Sequence, residues 1–238
     1  MTADEPDHWF EPIADHLGTA YLRYSFTKGT AQEVGFLVDV LGLHEGSTVL
    51  DVGCGPGRHA HALAELGIEV VGVDISQRFV DIATAAAPPG ATFLRGDARR
   101  LAFDGEFDAA LSLCQGAFGL VGPGPDEDVL AGMARALRPG GRVAVSAFSA
   151  YFSVRYQTDA AFDAASATAT ETTEVRDEGG RPAEVELHTT CYTPRELRML
   201  AERAGLEPEA VWSVEPGAYR RDPPTTESAE FLLLATRR

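Results

Sequence analysis

The chain has little of what several broad protein classes require. It contains three cysteines among 238 residues, Cys54, Cys114 and Cys191, at no metal-ligating or redox spacing. That excludes a zinc- or disulfide-built fold and predicts no metal site. An odd thiol count is read as reduced cysteines in a cytoplasmic protein. There is a single lysine, Lys28, and 20 Lys+Arg stand against 36 Asp+Glu, for a net charge of −16. Nucleic-acid binding rests on clustered cations, so no nucleic-acid partner is expected. No apolar run approaches the roughly 20 residues of a membrane span, so no membrane partner is expected either. The opening stretch Met1 to Pro6 is acidic and has no hydrophobic signal core. What is present is ordinary globular material, 45% hydrophobic and 24% charged, enough for one domain with an insertion.

Residues 1 to about 30 read as irregular and aromatic-rich, with Trp9, Phe10, Tyr21, Tyr24 and Phe26. Thr30-Ala31-Gln32-Glu33 has capping-box form, followed by Val34, Leu37, Val38 and Leu41 at helical spacing, with Gly42 as the stop. Strand and helix then alternate. Strands are predicted at 48–52, 69–74, 91–94, 107–113 and 142–147, with helices at 58–66, 76–86 and 126–137 between them, and Gly122-Pro123-Gly124-Pro125 as a loop. Buried strands alternating with amphipathic helices predict a doubly wound α/β fold on a mostly parallel seven-stranded sheet. The alternation lapses at 148–192, where segments 172–178 and 183–192 read as an antiparallel hairpin. Thr193-Pro194-Arg195-Glu196 starts a helix that Gly205 ends, and two last strands are predicted near 209–213 and 230–236.

The strongest chemical signal is Val49-Leu50-Asp51-Val52-Gly53-Cys54-Gly55-Pro56-Gly57, a buried strand ending in an acid, three glycines at alternate positions, then a helix. Such glycines let a ligand lie on bare backbone, and the following helix N-terminus presents free N–H groups. Asp74 closes the next strand, where a carboxylate suits ribose hydroxyls. A dinucleotide fingerprint would place a third glycine where Arg58 stands, which disfavours a nicotinamide-dependent oxidoreductase.

The set D-x-G-x-G-x-G, Asp74, Gly96-Asp97-Ala98 and Leu137-Arg138-Pro139-Gly140-Gly141 resembles the class I S-adenosylmethionine-dependent methyltransferases, over about residues 48–146. The resemblance implies S-adenosylmethionine as methyl donor and S-adenosylhomocysteine as product. It implies that Gly53, Cys54 and Gly55 support the methionine part, with Asp51 near its amino group. Asp74 would hold the ribose, and Ile75, Gly96, Asp97 and Ala98 the adenine. Leu113, Cys114 and Gln115 would line the site near the sulfonium. The family's N/D-P-P-Y motif is absent at that place, which argues against a DNA adenine or protein glutamine acceptor. His59 is a candidate contact to the cofactor carboxylate.

Residues 1–43 are expected to form a lid segment and first helix, with Tyr24 and Thr30 reaching the cofactor; the alternative is that its aromatics staple that helix to the core. Residues 44–238 would be the methyltransferase domain, with 148–192 as a substrate-side insertion. On the strand ending at Tyr192, alternation groups Glu186, His188 and Tyr192 on one face, so His188, Tyr192 and Gln115 are the candidate catalytic residues. That face also suits solvent. The expected partner is a small-molecule acceptor, methylated on O, N or C, with the protein a monomer or homodimer. A non-catalytic S-adenosylmethionine-binding protein of the same fold is the competing reading.

Overall fold

A computed structural model describes residues 8–120 and 123–238; the opening residues of the acidic N-terminus and Gly122 of the predicted loop lie outside them. The first five strands are β1 (Thr48–Val52), β2 (Glu69–Asp74), β3 (Ala91–Arg95), β4 (Phe107–Ser112) and β5 (Leu137–Phe148). They pair in parallel, and with β9 (Leu206–Val214) and β10 (Glu230–Arg237) complete a seven-stranded sheet of order β3-β2-β1-β4-β5-β10-β9. β10 runs antiparallel to both of its neighbours, β5 and β9. The strand order reverses between β1 and β4, so the crevice at their carboxyl ends is the natural ligand position in such a sheet.

The helices are α1 (Glu11–Leu17), α2 (Thr30–Leu41), α3 (Arg58–Ala64), α4 (Gln77–Ala85), α5 (Pro123–Ala136), α6 (Ala150–Tyr156) and α7 (Pro194–Arg203). Two apolar clusters cover opposite faces of the sheet: Leu50, Val52, Met133 and Leu197 on one, Leu37, Val49, Leu63 and Val80 on the other. Three local signals act as their residue types dictate. Gly42 stops α2 at φ 69°, Ser76 caps α4 through the Phe79 amide, and Thr193 and Glu196 make a reciprocal capping box on α7. None of the helices among the described residues is long and apolar enough to cross a membrane.

Several expectations need correction. Residues 8–29 are not irregular: α1 is followed by two 3-10 turns, Gly18–Arg23 and Ser25–Gly29. Tertiary contacts hold them, including Trp9 Nε1 to the Leu120 carbonyl at 3.1 Å and Arg95 to Glu11 at 2.7 Å. Glu33 does not cap α2; Gly29 is the cap residue and Glu33 is fully buried. Helix α5 begins at Pro123, inside the predicted loop, and β5 takes in Pro139 to Gly141. The hairpin is longer and belongs to a three-stranded antiparallel sheet, β6 (Ala161–Asp163), β7 (Thr168–Arg176) and β8 (Pro182–Thr190), with α6 before it. Tyr192 therefore lies beyond the strand on which it was placed.

Candidate active site

The turn after β1 is built by close backbone approach. Gly53 sits at φ 72°, and a Cβ there would lie 2.0 Å from the Gly116 carbonyl carbon, so only glycine fits. Gly55, at φ 53°, is buried, and a notional Cβ would only touch the Tyr21 and Phe79 rings at 3.9 Å or more; its requirement is conformational. The Gly55 amide donates to Asp74 Oδ2 at 2.8 Å and the Ser76 amide to Oδ1 at 2.9 Å. Both oxygens are thus fixed, each with a lone pair still to offer. Burial pushes Asp74 up to about 6. Asp51, also buried, is pushed by desolvation up to about 7, and its Oδ2 has no hydrogen-bond partner. An orphaned buried carboxylate oxygen beside a glycine turn fits an ammonium ligand.

Two cavities meet here. A narrow cleft of about 30 Å³ is lined by Gly53, Asp74, Ile75, Gly96, Asp97 and Ala98, joined by His8, Phe10, Gly116, Ala117 and Leu120. A larger cavity of about 280 Å³ lies between the N-terminal aromatics, Cys114 and Gln115, and the inner face of β7 and β8. Phe10 and Leu120 line both and form the wall between them. The loop that carries Leu120 starts with two consecutive left-handed non-glycine residues, Cys114 at φ 51° and Gln115 at φ 55°. Such conformations cost about 1–2 kcal/mol each and persist only where surroundings impose them. Here Ser146 Oγ takes the Cys114 amide at 2.8 Å, Ser112 Oγ the Phe118 amide, and Asp126 the Gly119 amide.

The predicted site residues divide sharply. Gly53, Asp74, Ile75, Gly96, Asp97 and Ala98 share the narrow cleft, and Tyr24, Cys114 and Gln115 the larger cavity. Asp97 is already engaged: burial raises its pKa, but hydrogen bonds from Arg99 outweigh this and hold it below the usual carboxylate range. Cys54 and Leu113 pack in the core and line neither cavity. His59 turns away from the glycine turn to Glu33, at 2.7 Å. Thr30 lines neither cavity; its hydroxyl donates to the Thr27 carbonyl and accepts from Arg58. Lys28 is exposed.

Two candidate catalytic residues do not reach the cavity. The residues of β8 that face it are Leu187 and Thr189. His188 lies on the opposite face, with Glu186 at 3.1 Å, Thr170 Oγ1 at 3.2 Å and the Trp9 ring edge-on at 5.2 Å. Alternation holds for Glu186 and His188 but not for Tyr192, which lies past the strand end, and the inward face is that of Leu187 and Thr189. Tyr192 is a core residue: it stacks on Phe118 at 4.9 Å and its hydroxyl donates to buried Asp126 at 2.6 Å. Gln115 remains, its Nε2 donating to Thr189 Oγ1 at 3.2 Å.

In the sequence Glu33 reads only as a helix-cap residue and Arg58 only as a departure from the dinucleotide fingerprint; the structure gives them a shared role at the site. Arg58 donates to Glu33 Oε2 at 2.5 Å and Thr30 Oγ1 at 2.9 Å, and lies 2.9 Å from Cys114 Sγ. Glu33 Oε1 accepts the Gly217 amide at 2.8 Å. Burial opposes the Glu33 charge, but hydrogen bonds from His59 and Arg58 prevail and pull it down to about 2. One carboxylate thus ties α2, the start of α3 and loop 215–228 together, and through Arg58 reaches the tip of β4. The signal was available: Glu33 falls one turn before Leu37 on the apolar stripe of α2, where a charge must find partners.

A family model described as a methyltransferase domain matches residues 49–141. The chain is 31% identical over 215 residues to the cypemycin N-terminal methyltransferase of a Streptomyces species, covering 81% of this chain and 84% of that one. It is 41% identical over 113 residues to the demethylmenaquinone methyltransferase of Beutenbergia cavernae, covering 47% of this chain and 45% of that protein. With this and several other curated relatives the match spans about half their length or less. Among solved structures, the CcbJ methyltransferase of Streptomyces caelestis superposes with a TM-score of 0.76 at 22% identity, over 98% of both chains. The chain belongs to the class I S-adenosylmethionine-dependent methyltransferases.

Proposed function

We propose that this enzyme transfers the methyl group of S-adenosylmethionine to a small molecule held in the larger cavity. The observation that carries this reading is the junction at Phe10 and Leu120, where the cleft beside Asp74 abuts an apolar cavity. When bound, the donor supplies a methyl group on a positively charged sulfur. Asp74 would accept from the ribose hydroxyls, Asp51 would answer the amino group, and the bare Gly53–Gly55 backbone would support the methionine chain. Ile75, Gly96 and Ala98 would flank the adenine, with Asp97 shared between Arg99 and the ring.

The activated donor leaves the protein mainly a positioning task, holding the nucleophile about 3 Å from the methyl carbon. Gln115, fixed by Thr189, and the aromatic wall would set that approach, and closure would exclude water. Residues 8–43 act in this reading as the lid, and α6 with β6–β8 as the acceptor-side insertion of domain 44–238. The names of the relatives, a demethylmenaquinone methyltransferase and a cypemycin N-terminal methyltransferase, support a small-molecule acceptor. Calorimetric titration tests the reading: S-adenosylhomocysteine should bind with an affinity that Asp74→Ala weakens at least about tenfold, and NAD should not bind. Binding of NAD in preference would overturn it.

A further inference from the structure

The polar lining of the larger cavity carries charge of one sign. Glu171 and Glu174 bring carboxylates to it, and no Arg, Lys or His among the described residues lines it. Glu174 is paired with Arg176 at 2.5 Å in an exposed position. Glu171 is half-buried on the inward face of β7, opposite Leu187, and makes no side-chain hydrogen bond or ion pair with a described residue. The rings of Tyr21, Tyr24, Phe26 and Phe148 share the same cavity. Two features that each attract a cation thus converge: a carboxylate without a counter-ion, and aromatic faces. An anionic acceptor would meet repulsion and no compensating cation. A neutral hydroxyl compound would shield Glu171 from water without answering its charge.

Resting on the methyltransferase reading above, we propose that the methylated atom is an amine nitrogen, and that Glu171 is the counter-ion that draws a small ammonium compound with an apolar body into the cavity. Glu171 stands two residues from Ala169, which pairs with Thr189, the partner of Gln115. Along a strand that is about 7 Å, so an amine can lie between Glu171 and the Gln115 amide oxygen. The bound ammonium gives one proton to Glu171, which passes it to solvent. The freed nitrogen lone pair forms the bond to the methyl carbon as the carbon–sulfur bond breaks and leaves its electron pair on sulfur. The positive charge of the sulfonium ends on the methylated nitrogen.

Three probes of similar shape test this: 2-phenylethylamine, 2-phenylethanol and 3-phenylpropionate, titrated calorimetrically into protein saturated with S-adenosylhomocysteine. The amine should bind most tightly, and E171Q should weaken it at least about tenfold while leaving the affinity for S-adenosylhomocysteine unchanged. That second value also shows that E171Q is folded. Equal or tighter binding of the carboxylate or the alcohol, an amine affinity unmoved by E171Q, or failure of this amine and of benzylamine and cyclohexylamine to bind would overturn the nitrogen assignment. Failure of S-adenosylhomocysteine to bind the wild type would instead remove the underlying reading.

Discussion

Replacing Glu33 by alanine removes the carboxylate to which Arg58 and His59 both bond and which also takes the Gly217 amide. Arg58 keeps only 8% of its side chain exposed, so it is left as a buried cation beside Thr30 Oγ1 and Cys114 Sγ. Breaking a buried pair from one side costs about 3–5 kcal/mol. Holding the Glu33 carboxyl at about 2 against its ordinary 4.5 corresponds to about 3 kcal/mol. Against a total stability of about 5–15 kcal/mol the loss is large. A depressed carboxylate stabilises the fold above the unfolded-state value of 4.5, and that stability fades as pH falls toward about 2. Urea unfolding of wild type and Glu33→Ala at neutral pH should therefore differ by about 3 kcal/mol, and the gap should narrow below about pH 4.5. Asp39→Ala, which removes an exposed pair with Arg221, should cost less than about 1 kcal/mol. A Glu33→Ala loss of under about 1 kcal/mol, or a gap that does not change in acid, would show that Glu33 does not hold the Arg58–His59 cluster together.

Gly53→Ala should abolish binding of S-adenosylhomocysteine, since its Cβ would stand 2.0 Å from Gly116 backbone; calorimetric binding at wild-type strength would show that the turn can open. Tyr192→Phe should lower stability by about 1–3 kcal/mol in urea, through the lost bond to Asp126, and leave kcat within a few fold. His188→Ala should leave kcat/KM nearly unchanged, because the ring faces away from the cavity; a large fall would return it to the list of bases. Burial raises Asp51 to about 7 and Asp74 to about 6, so both carboxyls hold protons in weak acid. Affinity for S-adenosylhomocysteine should rise between about pH 5 and about pH 8 as they ionise, with a shallower rise in Asp51→Asn; a flat profile in the wild type would contradict the assigned roles.

The β1–β5 half of the fold was legible because its signals are local: runs of buried β-formers, glycine turns and caps lie within a few residues of what they determine. The N-terminal segment was not, because its short turns are held by distant partners such as Leu120 and Arg95, which no window of sequence contains. In the site, Gly53 and Asp74 stand out through the glycine turn and its spacing and Gly96–Ala98 through the family resemblance, and the fold brings all of them to one cleft. His188 was misassigned because alternation separates two faces of a strand without saying which one a second sheet turns inward. Tyr192 and Glu33 were misread for a related reason: a polar tip on a buried position takes its meaning from a partner far along the chain.

A crystal structure with S-adenosylhomocysteine bound shows where the donor lies and which way its sulfur faces. The ribose should lie on Asp74 and the amino group at Asp51, with the sulfur turned toward the larger cavity beside Phe10 and Gln115. A ligand whose sulfur faces away from that cavity, or whose ribose makes no contact with Asp74, would contradict this placement.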